Sequence, residues 1–305
     1  MSPRRHLLTG EWTLRHALET PACPRTPEEL AHSGLPTVQA HVPGNVELDL
    51  VVSGELTDPF VGTNMLALRS LEFHQWWLQR EFETPAWCAE SATDLVFEGL
   101  DCFAKVWVNG TEIGSTANAL ISHRFDVSQA LNGLGEMNSI LVRIASPVNA
   151  VRNVPVDPGA RTGPHQMDSL SVRKAPHCYG WDIMPRALSA GIWRPVFLEE
   201  HRGTELEDVF PCVVSVSPDL AQLRMRVAFR TNAPTLEGFR VRFTGRCGDS
   251  SFEHEAPVHF TAAEVGVHVA QPRLWWPRGY GDADLYELRT ELLHDGVTVS
   301  VMDRR

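Results

Sequence analysis

The chain has 305 residues and a formal net charge of −11, and its Lys and Arg never form a run. That balance excludes the positive face a nucleic acid or an anionic membrane would need, and suits a neutral ligand better. Hydrophobic residues make up 43%, enough for two buried cores, so the length reads as two domains and not as a disordered chain.

In chain order, Met1 to His6 leads straight into Leu7-Leu8-Thr9-Gly10-Glu11-Trp12 with no long apolar run. Neither a signal peptide nor a transmembrane span is expected, and a cytoplasmic location follows. The scattered thiols of Cys23, Cys88, Cys102, Cys178, Cys212 and Cys247 agree with that. They form no CxxC pair and no HExxH accompanies them, so no disulfide framework, metal site or cofactor is expected. Pro27 to Ala31 reads as a short helix. Asp94 to Val108 alternates with period two and reads as two strands joined at Gly99-Leu100-Asp101. The second strand runs into Asn109-Gly110, a strong hairpin signal because both central residues of a type I′ turn need positive φ. Its return strand carries Ile113. Val127 to Leu131 is the second short helical piece, and Ile140 to Ile144 is a further strand ending before Pro147.

From about Pro147 to Tyr179 no period persists, and Pro155, Pro158, Gly159, Gly163, Pro164 and Pro176 interrupt the chain. A loop this long in a compact domain is usually functional. Gly191 to Leu198 reads as the strand that closes the first domain. The charged stretch to Thr204 sets the boundary, giving domains 1–203 and 204–305. In the second half, Leu223, Met225, Val227 and Phe229 fall on one strand face, as do Phe239, Val241 and Phe243. Tyr286, Leu288, Thr290 and Leu292 precede an Asp295-Gly296 turn, and Val297, Val299 and Val301 return from it. Strands at this spacing match an immunoglobulin-like sandwich. The pattern alone gives an all-β chain of two sandwiches in tandem.

Pattern carries no chemistry, because sandwiches host many functions. Several separated motifs do. Val42-Pro43-Gly44-Asn45-Val46-Glu47-Leu48-Asp49-Leu50, Asp58-Pro59-Phe60 and Trp76-Trp77-Leu78-Gln79-Arg80-Glu81-Phe82 resemble the early segments of family 2 glycoside hydrolases. Phe97 to Asp101 with Val106 to Gly110 is similar to that family's sugar-binding domain, a galactose-binding-like jelly-roll sandwich. Arg173-Lys174-Ala175-Pro176, Tyr179-Gly180-Trp181-Asp182, Pro185-Arg186 and Gly191 to Val196 most resemble the β-mannosidases of the family. Leu274-Trp275-Trp276-Pro277-Arg278-Gly279-Tyr280-Gly281 with Leu285-Tyr286 looks like the end of its immunoglobulin-like domain.

The resemblance spans essentially the whole chain and implies the non-catalytic N-terminal part of a retaining exo-hydrolase acting on terminal β-mannosides. The family's catalytic (β/α)₈ barrel follows these modules, and both catalytic glutamates lie on it. A barrel needs about 250 residues, so it is expected to be absent here and this chain inactive alone. No catalytic residue is assigned. The implied partners are a β-mannoside or related carbohydrate and the C-terminal barrel of the same polypeptide. A β-galactosidase, β-glucuronidase or exo-glucosaminidase fragment shares the modules, and a stand-alone carbohydrate-binding module is the alternative of another class.

Trp181 and Asp182 are the substrate-binding candidates. A carboxylate accepts from two sugar hydroxyls at once, and an indole covers the apolar face of a sugar ring. In β-mannosidases the matching Trp-Asp reaches into the barrel's site, and the resemblance implies the same role here. The structural alternative makes Trp181 core, with Asp182 capping a turn or pairing with Arg186 or Arg194. The family usually continues Trp-Asp-Trp-Gly-Pro, whereas this chain has Ile183-Met184-Pro185. Arg173, Lys174 and Arg186 are candidates for orienting Asp182 or a barrel carboxylate, against a solvated or domain-interface pair for Arg173 and Lys174. Trp275 and Trp276 suggest a sugar-stacking platform, but neighbouring tryptophans at a strand end read better as core and domain-interface packing. Asn109-Gly110-Thr111 is a sequon that the hairpin sufficiently explains, and His177-Cys178 has no second cluster to make it a metal site.

Overall fold

The computed structural model of the chain describes residues 3–163 and 166–305, so Met1, Ser2 and Pro164 of the reading above lie outside the described residues. The chain divides into two compact units, one from Arg4 to His201 and one from Arg202 to Arg305.

The first unit is a sandwich. Its six-stranded sheet runs in the order Val38–Val42, Gly10–Leu18, His74–Glu83, Met137–Ile144, Phe103–Val108 and Thr111–Ala117, all antiparallel. The facing sheet holds Arg5–Leu7, Val196–Glu200, Thr93–Phe97 and His123–Asp126, likewise antiparallel. Alternation explains the core between them. Trp12 and Leu14, Ile140, Val142 and Ile144, and Leu95 and Phe97 each point inward from their strands and pack as one cluster. The opposite face of the larger sheet is buried in part as well. There Trp77 and Trp107 stack with ring centroids 5.6 Å apart, under Leu30 of the helix Pro27–Ala31. Coverage on both sides is why Gln75 to Leu78 are all buried, with Trp76, Trp77 and Leu78 consecutive apolar residues.

The Asn109-Gly110 hairpin forms with φ of +50° and +81°. Its Asn109 amide donates to the Ala130 carbonyl and the Asn138 side chain, both at 2.8 Å. That side chain is fully spent inside the fold, which fits the hairpin reading of the sequon. The strand expected from Gly191 to Leu198 is broken. Gly191–Ile192 pairs with Leu100–Asp101, while Val196–Glu200 joins the four-stranded sheet. The break sits at Trp193-Arg194-Pro195, where proline has no N–H for a ladder. Gly99 allows it, because a Cβ there would lie 2.7 Å from the Trp193 indole.

Helix is more frequent than expected. Val127 to Leu131 is one turn in which the Val127 carbonyl accepts from Ala130 and Leu131, and no helix follows. Conversely Val46–Ser53 is a helix capped by the Asn45 side chain, which accepts from Leu48 N at 3.3 Å, and it ends on Gly54 at φ +83°. Pro147–Val151 is a further short helix, with 3₁₀ turns at Asn64–Phe73, Met167–Ser171 and Pro176–Tyr179.

The second unit packs the sheet Thr204–Val216, Leu220–Thr231 and Ala262–Ala270 against Ser250–Pro257, Phe239–Cys247, Glu287–His294 and Val297–Arg304. Met225, Val241, Phe243 and Leu292 at its centre are fully buried. The Asp295-Gly296 turn has φ of +50° and +79°. The returning strand forms, and Val299 packs against the core. A register shift at Leu292/Leu293 turns Ser300 inward, where its hydroxyl accepts from Leu206 N at 3.0 Å, and leaves Val297 exposed.

Candidate functional site

The described residues between Arg152 and Ala190 form turns and isolated bridges in place of strands. At its tip Trp181 and Met184 bond each other's backbone, N to O, at 2.9 and 3.2 Å, which closes a tight turn over Asp182 and Ile183. Gly180 enters that turn at φ +96°, a conformation few other residues adopt.

Trp181 is 72% exposed and Ile183 89%, and Asp182 is exposed too. The core reading of Trp181 is therefore wrong. The reading that paired Asp182 with Arg186 or Arg194 also fails. Arg186 is held by Glu72 and Asp168, Arg194 lies over the Trp193 ring at 4.4 Å, and the Asp182 side chain makes no hydrogen bond or ion pair among the described residues. A carboxylate and an indole thus stand side by side on an exposed turn, uncommitted to the fold. A cleft of about 950 Å³ on the outer face of the six-stranded sheet, lined by Glu11, Arg15, Gln39 and Gln79 among others, does not include them.

The flanking basic residues part company. Arg173 is exposed, and its backbone pairs with Asn118 in an isolated parallel bridge, its carbonyl accepting from Ala119 N at 2.8 Å. Lys174 is 3% exposed and donates to the Asp101 carboxylate and the Ser189 carbonyl. The solvated-pair reading fails for Lys174, whose ammonium is buried against an opposite charge. Ser189 in turn donates to Glu47 at 2.9 Å. Burial pushes the Glu47 and Asp101 carboxyls above the usual range, with Lys174 pulling both the other way. Lys174 therefore staples the two arms of the loop at its base.

Arg186 grips higher up. It donates to both oxygens of Glu72 at 2.9 to 3.1 Å and to both oxygens of Asp168 at 3.1 and 2.7 Å, with its guanidinium 5.1 Å from the Tyr179 ring centroid. Burial opposes its charge, but Asp168 and Glu72 outweigh that and raise its pKa. Glu47, Glu72, Asp101 and Asp168 escaped sequence reasoning. Glu72 lies 114 residues from Arg186, and nothing local marks such a pair.

In the second unit Trp275 and Trp276 are 56% and 46% exposed. They are not core, although Trp276 packs against Gly281, where a Cβ would come within 2.7 Å of the indole. No group of three or more metal-ligating side chains occurs among the described residues, and no described helix is long and apolar enough to cross a membrane.

Residues 12–194 match the family described as glycosyl hydrolase 2 galactose-binding domain-like, and residues 205–305 match glycosyl hydrolases family 2. Among curated relatives, β-mannosidase B of Aspergillus terreus is 34% identical over 272 residues, 87% of this chain and 32% of the relative. The Emericella nidulans β-mannosidase B is 31% identical over 292 residues, 94% of this chain and 33% of its own length. The chain thus spans about a third of these relatives. A solved β-D-mannosidase from Dictyoglomus thermophilum superposes with a TM-score of 0.77 at 27% identity, covering all of this chain and 35% of that one. A Bifidobacterium dentium β-glucuronidase, at 20% identity and a TM-score of 0.67, shares the fold. Two family matches in tandem over two β-sandwiches, with no barrel among the described residues, place this chain in glycoside hydrolase family 2.

Proposed function

We propose that this chain supplies the sugar-binding and immunoglobulin-like domains, divided at 203/204, of a cytoplasmic, retaining exo-hydrolase of terminal β-mannosides. Trp181 and Asp182 are its substrate contacts. The observation that carries this reading is the exposed, unpaired Asp182 beside an exposed indole. Leaving both uncommitted gains the fold nothing, whereas a sugar offers hydroxyls to the carboxylate and a C–H face to the ring. One turn makes only one wall of a pocket, and small ligands bind where most of their surface is enclosed. The other wall, with the acid/base and nucleophile carboxylates about 5 Å apart, belongs to a barrel further along the same polypeptide. The β-mannosidase names of the curated relatives and the Gly180-Trp181-Asp182 segment favour a mannoside over the other sugars of the family. Ile183 and Met184, where the family usually carries Trp-Gly, change the pocket wall and bear on which sugar is accepted.

The test is kinetic. The full-length polypeptide is assayed against aryl β-mannoside, β-galactoside, β-glucoside and β-glucuronide, with the 305-residue chain assayed beside it. The β-mannoside is expected to be turned over best, and the 305-residue chain to turn over none. Asp182→Ala should lower kcat/KM about 100-fold, the loss of a charge-assisted pair of hydrogen bonds. Preference for another glycoside, or unchanged kinetics in Asp182→Ala, overturns the reading.

A further inference from the structure

The turn that bears Trp181 and Asp182 has little of its own to hold it still. Two backbone hydrogen bonds close it, and Trp181, Asp182 and Ile183 lie open to solvent. Sugar recognition by a carboxylate needs placement to a fraction of an ångström, so the rigidity must come from beneath.

Arg186 runs directly under the turn. A Cβ added to Gly180 would sit 3.4 Å from the Arg186 Cβ and 3.5 Å from its backbone N, so the entry to the turn rests on this residue. Its guanidinium is forked on two sides. Nε and Nη2 reach Glu72 at 2.9 and 3.0 Å, and Nη1 and Nη2 reach Asp168 at 3.1 and 2.7 Å. Planar two-point pairing fixes direction as well as distance. Glu72, 2% exposed, stands on the 3₁₀ turn that runs into the sheet strand His74–Glu83 and also accepts from Arg69 at 2.8 Å. Asp168 stands on the Met167–Ser171 turn of the loop's descending arm. Three segments are joined through one side chain: sheet, descending arm and ascending arm.

We propose that Arg186, clamped between Glu72 and Asp168, is the positioning residue that presents Asp182 and Trp181 to the sugar; this rests on the sugar-contact reading above. Arg186 itself touches no substrate, because its donors are turned onto the two carboxylates. Lys174 secures the base of the loop, eight positions before Asp182 in sequence, and Arg186 secures its tip.

The experiment uses the full-length polypeptide and two readouts. In the first, Arg186→Lys, Glu72→Gln and Asp182→Ala are assayed on an aryl β-mannoside, singly and as the double variants with Asp182→Ala. Arg186→Lys keeps the charge but loses the fork. It and Glu72→Gln should each lower kcat/KM about 10- to 100-fold, the scale of an ångström-level misplacement. In the Asp182→Ala background each should cost several-fold less than in the parent, since only Trp181 is then left to position. Losses that multiply in full in the double variants overturn the proposal. A purely structural role would give that result. Asp168→Asn, at a more exposed position, stands in if Arg186→Lys does not fold.

The second readout is hydrogen exchange at the Trp181 and Met184 amides, which needs no activity. Glu72→Gln should speed exchange there while leaving the Ile140 and Val142 amides of the sheet unchanged; equal rates at Trp181 and Met184 overturn the proposal outright. Faster exchange in an enzyme that ignores β-mannosides upholds the clamp and refutes the sugar reading instead.

Discussion

The immunoglobulin-like unit and the loop that carries Trp181 sit in one chain but are held by different forces. The former is fastened by apolar contact: Met225, Val241, Phe243 and Leu292 exclude water completely, and strand register does the rest. The loop from Val172 to Ala190 has only a small apolar cluster, with Val172, Tyr179 and Leu188 against Cys102, Ala119 and Val151. It is secured by Lys174 on Asp101 at its base and Arg186 on Glu72 and Asp168 at its tip. Dispersion and burial are undirected and favour a compact shape, whereas forked ion pairs hold a segment in one orientation without burying its tip. A loop whose tip stays exposed is served by the second kind.

The largest way to press that contrast is Phe243→Ala. Removing a fully buried ring from the sandwich should cost about 3–5 kcal/mol, read as a shift of the denaturant midpoint of the immunoglobulin-like unit. A cost near zero would mean the core is not what fastens this unit.

Next comes Lys174→Met, which removes a charge and keeps the bulk. Stranding Asp101 should cost about 3 kcal/mol at neutral pH in the first unit. The deficit should also depend on pH in a definite sense. Burial already raises the Asp101 carboxyl and Lys174 opposes it, so without the lysine the folded state holds the proton more tightly than the unfolded chain does. The variant's deficit should therefore be smallest below about pH 4, the unfolded value, and grow as pH rises through the raised folded pKa. A pH-independent deficit would place the cost in packing and erase the distinction between the two regions.

The same division explains what could be read from the sequence. Period two marked Leu223 to Phe229 and Phe239 to Phe243 because one face of each strand is buried, and burial leaves a trace in residue type. The strand after Asp295-Gly296 forms as expected, but the bulge that turns Ser300 inward left no trace, because it is a property of pairing and not of either strand alone. The helix Val46–Ser53 had local signals in Asn45 and Gly54, so that miss was avoidable. Neighbouring tryptophans at a strand end read as core and domain-interface packing, yet Trp275 and Trp276 are both about half exposed, which excludes the core. In the loop the exposed Trp181-Asp182 was legible through family motifs. Its supports were not: Lys174 meets Asp101 across 73 positions and Arg186 meets Glu72 across 114. A charged residue reads as surface until its distant partner is known.

The smallest stability effect expected is that of Trp181→Ala, and it sharpens the comparison most. Tryptophan is the largest side chain available, and in either core its loss would rank with Phe243→Ala. At 72% exposure it forfeits little buried area, so unfolding of the first unit should move by less than about 0.5 kcal/mol. The pairing of Trp181 N with the Met184 carbonyl is backbone and survives the change. A midpoint unchanged within error, with weaker binding of mannose by the full-length polypeptide, assigns this indole to the ligand and not to the fold. A loss above about 2 kcal/mol would mean that the ring packs on protein, and the loop would then be secured by apolar contact after all, like the sandwiches.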